Sequence, residues 1–230
     1  METHLSYQFT LPDESILEYR FHFDGERYVL QKEQNTPPPW SELPFQQCSH
    51  CPYKGTKGPN FCPMAQQLSL VVEDVDHLMS HDKVEMRVDN GQRIIMQEAD
   101  VQEAVGSLLG LIFASSGCPH TEFLLPMARY HLPLASAEET LWRACGSFLL
   151  AQYFREENNE PGEKLEDVLR RYQNLESINR AMVKRLKNQV ATDSCLNAIV
   201  ILDNYAKHFP KFLEQSIQNL KPLYATYLMH

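Results

Sequence analysis

The chain has 230 residues, a formal net charge of −9 at neutral pH and 43% hydrophobic residues. This hydrophobic content is ordinary for a globular protein and argues against an intrinsically disordered chain. The negative charge argues against general attraction to nucleic acids or anionic membranes, because their phosphate groups repel an acidic protein. We therefore expect no membrane and no nucleic acid among its partners, and a protein partner stays open.

The N-terminal residues 1–6 lack the cationic start and the apolar core of a secretory signal. The most apolar run, residues 108–114, is too short to cross a bilayer. Both observations predict a cytoplasmic protein. Thiols stay reduced in that compartment, so clustered cysteines there are more often metal ligands or redox groups than structural disulfides.

Two β-hairpins are predicted in the first hundred residues, where apolar and polar residues alternate on both sides of a glycine-containing turn. The first turn is Asp24-Gly25, which we interpret as a two-residue turn, and the second contains Asn90-Gly91. The four antiparallel strands expected from this pattern cover residues 19–23, 27–30, 84–88 and 94–96.

The pattern after the second hairpin is helical. Asp100 and Glu103 predict the start of a buried helix that ends at Gly117, and Ser136 with Glu139 predicts a capping box that opens a helix through Phe154. Further helices are expected near residues 64–78, 123–130, 163–190 and 193–227, the last interrupted at Pro210 or Pro222.

These elements predict an α+β fold in which a small antiparallel sheet of two hairpins leans on a larger C-terminal helical bundle. We expect a single integrated domain over residues 1–230. Residues 1–97 form its sheet and a cysteine-rich metal loop, and residues 98–230 form its helical part.

The strongest chemical signal is the cluster Cys48-x-x-Cys51-x10-Cys62. A Cys-x-x-Cys turn presents two thiolates to one ion, and a third cysteine after a short Gly- and Pro-rich loop can return to the same point. Cys118 is the expected fourth ligand. The sequence therefore predicts a metal site, with zinc as the default ion, that fastens the sheet part to the helical part.

Alternatives to zinc remain open at this cluster. Four thiolates also suit an iron-sulfur cluster, which would make the protein a redox carrier or a sensor. A reactive dithiol and cysteines without a chemical role are further interpretations. His50, between the first two cysteines, and His120, two residues after Cys118, are alternative nitrogen ligands.

A second group of chemistry-bearing residues follows Cys118. His120, His131 and Glu139 are candidates for a metalloenzyme site, with Arg129 or Arg143 available for an anionic substrate. A structural interpretation is equally available, because Glu139 has a role in the predicted capping box and histidines often satisfy backbone groups at corners. The sequence lacks the common motifs of zinc hydrolases, phosphate loops and nucleophile elbows.

The predicted helix over residues 163–190 carries an apolar seam and many basic residues. The seam fits either a coiled coil or a helix packed within a bundle. We interpret the basic residues as a solvated face, with an acidic protein partner as the alternative. They are Arg170, Arg171, Arg180, Lys184, Arg185 and Lys187.

Several short motifs are spread along most of the chain. They are Trp40, Leu43, Cys48–Pro52, Cys62–Ala65, Ser107–Leu111, Ser116–Thr121, Met127–Pro133 and Glu138–Thr140. Together they resemble a bacterial family of uncharacterised proteins, a domain of unknown function. The resemblance covers nearly the whole chain and implies a cytosolic protein with one integrated domain. It implies no activity, substrate or catalytic residue.

Overall fold

The computed structural model of the protein describes residues 4–33, 36–187 and 189–228, apart from the side chains at 165 and 214–216. A five-stranded antiparallel sheet has the strand order β3-β2-β1-β4-β5. The α+β class predicted from the sequence is confirmed. The strands are β1 (His4–Thr10), β2 (Ile16–Phe23), β3 (Tyr28–Leu30), β4 (Lys83–Asp89) and β5 (Ile94–Asp100).

Both predicted hairpins are present, but the interpretation of Asp24-Gly25 as a two-residue turn was wrong. Four residues, 24–27, separate β2 from β3. The Asp24 carboxylate explains the longer loop, because it accepts the backbone N–H groups of Glu26 and Arg27 at 2.9 and 2.8 Å. Asn90 does the same in the second hairpin, and Gly91 takes the positive φ of 78° that this loop requires.

The prediction of four strands missed the central one, β1. This strand pairs with β2 on one side and with β4 on the other, so it joins the two hairpins into one sheet. Leu5, Tyr7 and Phe9 are buried along it and alternate with less buried residues. The period-two signal was therefore present in the sequence.

The helices lie close to the predicted positions. A 3-10 turn at Glu122–Leu124 precedes α3, and another at Lys221–Tyr224 follows α6. The helices are α1 (Pro63–Val75), α2 (Val101–Ser115), α3 (Leu125–Arg129), α4 (Ala137–Glu157), α5 (Leu165–Leu186), α6 (Ser194–Leu220) and α7 (Ala225–Leu228).

The structure tests the predicted starts of α2 and α4 and the predicted helix break near the C-terminus. Ser136 and Glu139 form the predicted capping box at α4. Asp100 precedes α2 but makes no capping hydrogen bond, because its carboxylate pairs with Lys83 at 2.6 Å. α6 runs through Pro210 without interruption, and the buried residues Phe209 and Leu213 show why: tertiary packing there outweighs the lost hydrogen bond.

The main core lies between one face of the sheet and the helices. α2 contacts strands β3 to β5 and also packs against α1 and α6. Tyr7 and Met86 from the sheet, Leu68 from α1 and Leu108 from α2 are fully buried in one cluster. A second, smaller cluster joins α4, α5 and α6. Each such large apolar side chain contributes about 1.5–3 kcal/mol through burial.

The apolar seam of α5 packs within the chain, mainly against α6. The described helices include none that is both long enough and apolar enough to cross a membrane. One part of the α5 interpretation was wrong: Arg185 is not on a solvated face but is 1% exposed. The seam residues are Val168, Tyr172, Leu175, Asn179, Met182 and Leu186.

Candidate functional site: a cysteine cluster around a buried arginine

The cysteine loop, residues 41–62, connects a 3-10 turn at 39–41 to α1 and is closed at its base. Glu42 and Phe61 form an isolated antiparallel bridge. The backbone N–H of Cys62 donates to the carbonyl of Ser41 at 2.8 Å. These bonds hold the two ends of the loop together.

The Cys-x-x-Cys part of this loop is a tight turn. The backbone N–H of Cys51 donates to the carbonyl of Cys48 at 3.1 Å, and the N–H of Lys54 donates to the carbonyl of Cys51 at 3.0 Å. The loop also reaches α5, because the hydroxyls of Ser49 and Ser177 lie 3.4 Å apart.

Cys118 follows α2, where Gly117 turns the chain with a φ of 81°. Its side chain belongs to the main core, and the half-buried Cys48 and Cys62 pack against that core. All six cysteines of the chain are free thiols. Two segments far apart in the sequence, the cysteine loop and the corner after α2, therefore meet at one place.

The four candidate ligands interact electrostatically. Burial raises the pKa of Cys48 to about 12, with smaller contributions from Cys51, Cys118 and Cys62. Burial raises the pKa of Cys118 to about 11, while the backbone N–H of His120 works in the opposite direction. Unless a metal ion binds them, Cys48 and Cys118 are neutral at physiological pH.

Arg185 inserts from α5 into the base of the cysteine loop. One terminal nitrogen, Nη1, donates to the carbonyls of Trp40 and Glu42, both at 2.7 Å. The other, Nη2, donates to the carbonyl of Leu43 at 3.1 Å. Its buried Nε–H has no hydrogen-bond partner in the described part of the chain.

The same guanidinium lies beside the thiols. Burial lowers the pKa of Arg185, and Cys62, Cys48 and Cys51 oppose that shift because an anionic thiolate favours the charged guanidinium. The cluster therefore combines potential anions with a buried cation that has one donor to spare.

The two candidate histidine ligands meet at the edge of this cluster. Their ring centroids are 4.5 Å apart, and His120 Nε2 donates to the carbonyl of His50 at 2.8 Å. The buried Nε2 of His50 has no partner among the described residues. Burial lowers the pKa of His50, with His120 adding to the effect, so this imidazole favours the neutral form that a metal requires.

The cysteine and histidine side chains at this cluster are of the types that bind zinc or an iron-sulfur cluster. Their donor atoms, however, do not converge on one point. Among residues 4–33, 36–187 and 189–228, no three side chains of His, Cys, Asp or Glu stand in an arrangement that holds a metal ion. The side chains of Cys48, Cys51, Cys62 and Cys118 are near enough to influence one another and are not in coordinating positions.

His131 lies in a different environment, beside the first strand of the sheet. Its Nε2 forms a short hydrogen bond with the Tyr7 hydroxyl, which also contacts Ser107 Oγ at 3.0 Å. The N–H of Leu134 donates to the same Ser107 oxygen at 3.2 Å. Burial lowers the pKa of His131 to about 3, with Arg143 contributing, so the imidazole is neutral at physiological pH.

The three candidates for an enzyme site have separate hydrogen-bond partners. His120 is at the cysteine cluster, and His131 is at Tyr7. Glu139 is exposed and its carboxylate accepts the N–H of Ser136 at the start of α4. The hydrogen bonds of each are local to its own corner of the fold.

Sequence reasoning missed Tyr7, Ser107, Arg185 and the role of their contacts. A signal for Arg185 existed, because it continues the apolar face formed by Ile178 and Ala181 at helical spacing. A charged residue on such a face must find polar partners inside the protein. Tyr7 carried a signal only through the strand alternation of β1.

The profile of a family described as "Domain of unknown function (DUF6901)" matches residues 5–225, and the chain belongs to this family. No curated protein and no solved structure gives a significant match to the chain. The bacterial origin and the cytoplasmic location expected from the sequence stay predictions.

Proposed function

We propose that this DUF6901 chain binds one zinc ion through Cys48, Cys51, Cys62 and Cys118, and that the ion clamps the sheet part to the helical part. The observation that supports the proposal best is the meeting of the cysteine loop and the corner after α2 beside the buried Arg185. Zinc favours four cysteine ligands in closed structural sites.

The charge balance of the cluster supports the same conclusion. Four thiolates around Zn²⁺ carry a formal charge of about −2, which is costly to bury without a nearby cation. The Arg185 guanidinium supplies one positive charge, and its unpartnered Nε–H is a donor for a thiolate. Hydrogen bonds of this kind stabilise metal-bound sulfur from outside the ligand shell.

A structural role is favoured over a catalytic one because of how the loop is built. The cysteine loop has few apolar residues of its own, and backbone bonds close it only at its base. A small loop of this kind gains its order from the ion, and the free energy of metal binding then counts as folding free energy. An iron-sulfur cluster is the alternative occupant for the same thiolates.

Replacing Cys51 by Ser tests the clamp. We expect the variant to lose its metal and its melting temperature to fall by about 10 °C or more, since several kcal/mol of binding free energy are removed. Cys145→Ser is the matched control, because Cys145 is a half-buried thiol on α4 outside the cluster. Metal content that is unchanged in Cys51→Ser would contradict the proposal.

A further inference from the structure

A cavity of about 470 Å³ lies between α2, α3, α4, α5 and α6. Its walls are mainly apolar, and Phe113, Met127, Leu175, Leu202 and Phe209 are among them. This volume falls within the range of about 300–1,000 Å³ that is typical of small-molecule sites in proteins. The exposed Gln97 and Glu103 also line it and lie at its solvent side.

Asn179 is the first sign that this cavity takes a ligand. The residue is 6% exposed and lines the cavity from α5. Its side-chain amide makes no hydrogen bond to any described residue. The residue is largely buried, but its amide atoms are not among the fully buried polar atoms that lack a partner in the described part of the chain. The amide therefore reaches the solvent within the cavity and is open to a ligand. A ligand that pairs with the amide explains why asparagine stands there.

Arg143 is the second sign. It lines the cavity from α4, and its guanidinium donates to the carbonyls of Met127 and Tyr130, which carry no charge. It forms no ion pair with any carboxylate in the described part of the chain, and Glu139 acts on it only at longer range. Burial lowers the pKa of Arg143, as expected for a cation without a counter-ion.

Apart from the exposed Glu103 at the solvent side, the remaining polar groups that line the cavity carry no charge. Ser107 and His131 line it, and both are hydrogen bonded to Tyr7 behind them. Arg143 is half-buried, and Glu103 at the solvent side is the other charged residue that lines the cavity. A single cation in mainly apolar surroundings matches a monoanion better than a phosphate dianion, which would leave a buried charge uncompensated. A carboxylate also fits the fork of a guanidinium geometrically.

We propose that this cavity binds a small amphipathic carboxylic acid, whose carboxylate pairs with Arg143 and whose apolar body lies between α2, α5 and α6. Asn179 supplies a further hydrogen bond to the ligand. None of the four candidate cysteine ligands lines the cavity, and the proposal does not depend on which ion the cysteines hold.

Isothermal titration calorimetry on the full chain as purified tests the site with two probes. Sodium decanoate and 1-decanol share an apolar chain and differ in the charged head. We expect decanoate to bind at least tenfold more tightly than decanol. Equal affinities, or no binding of either probe, would overturn the proposal.

Substitutions at Arg143 and Gly110 locate the bound probe. Arg143→Met keeps the apolar stem and removes the charge, so we expect the preference for decanoate to disappear, and Arg143→Lys should restore part of it. Gly110→Leu fills the cavity wall and should weaken both probes at least tenfold. Arg155→Met is the control, because Arg155 lies on the same helix and pairs with Glu160 and Glu163 instead.

Two variants distinguish ligand binding in the cavity from a structural role of Asn179 and from binding elsewhere on the surface. Asn179→Leu should weaken decanoate binding while raising the melting temperature of the ligand-free protein, a combination that a purely structural asparagine would not give. Binding that survives Gly110→Leu would place the probes on the exposed apolar face of α4 around Trp142 and Leu149, and would contradict the cavity site.

Discussion

The cysteine cluster and the cavity beside His131 each contain an arginine in poorly solvated surroundings, but the two arginines are satisfied differently. Arg185 gives three hydrogen bonds to backbone carbonyls and lies beside thiols that become anions when they bind a metal. Arg143 gives two hydrogen bonds to carbonyls and lines an open cavity. The first arginine holds a loop in place, and the second remains available to a ligand.

This difference teaches that burial alone does not identify function. A buried cation whose donors are nearly all taken is part of the architecture, and its removal damages the fold. A partly buried cation that lines a cavity and has no counter-ion is a feature of binding sites. Substitutions in the two regions should therefore differ in their effects on stability.

Among substitutions that leave the cysteines intact, the largest effect on stability is expected for Arg185→Met. The substitution leaves the carbonyls of Trp40, Glu42 and Leu43 without their donor in the core, which costs about 3 kcal/mol and lowers the melting temperature by about 10 °C. Thermal denaturation followed by circular dichroism measures the change.

Arg180→Met is the matched control on the same helix. Arg180 is exposed and pairs with Glu176 four residues earlier, so its removal should change the stability by no more than about 0.5 kcal/mol. Equal losses in the two variants would show that Arg185 does not anchor the loop.

The next largest effect is a dependence of the folding stability on pH, caused by the titration of His131. Its pKa is about 3 in the folded protein and 6.5 when unperturbed. The unfolded chain therefore binds more protons, and the stability that the neutral imidazole contributes is present above pH 6.5 and lost as the pH falls towards 3. We expect a loss of about 2 kcal/mol between pH 7 and pH 5.

Urea denaturation at a series of pH values measures this loss, with His131→Gln as the comparison. Glutamine keeps a hydrogen-bonding side chain and does not titrate, so the variant should lack this part of the pH dependence. The other groups that face the histidine are Tyr7, whose pKa is raised by burial, and Arg143, and both keep one charge state in this range. Identical pH profiles for the two proteins would refute the assignment.

The smallest effect is expected for Gly110→Ala on α2. The added methyl group meets Leu202 at 3.8 Å, an ordinary contact, so the gain in helix propensity should raise the stability by about 0.5–1 kcal/mol. Gly146→Ala on α4 is the reference, because nothing lies within 4 Å of its added methyl. A loss of stability at Gly110 alone would mean that the cavity wall tolerates no extra atom.

The sequence predicted the fold well where a single local signal decides the structure. The Asp24-Gly25 and Asn90-Gly91 loops fall where expected, and the Ser136 capping box forms as expected, because each depends on neighbouring residues. The helix break expected at Pro210 or Pro222 falls at Pro222, where a 3-10 turn follows α6. α6 runs through Pro210 because its packing against the bundle outweighs a single broken hydrogen bond.

The candidate sites were predictable only in part, for a related reason. Cys48, Cys51 and Cys62 are close in the sequence, and their spacing indicated one site. Tyr7 lies in a strand, 100 residues before Ser107 in a helix and 124 residues before His131 in a loop, and only the tertiary fold brings them into contact. No local pattern marks such a group before the fold is known.

The central claim is that the cysteine cluster holds a metal ion. Elemental analysis with an ultraviolet-visible spectrum, on untagged protein purified without oxygen, tests it most directly. The account predicts a colourless protein with a single zinc ion per chain that is lost in Cys51→Ser. Iron with sulfide and a visible absorbance that bleaches on reduction would replace zinc by an iron-sulfur cluster, and a protein without any metal would contradict the claim.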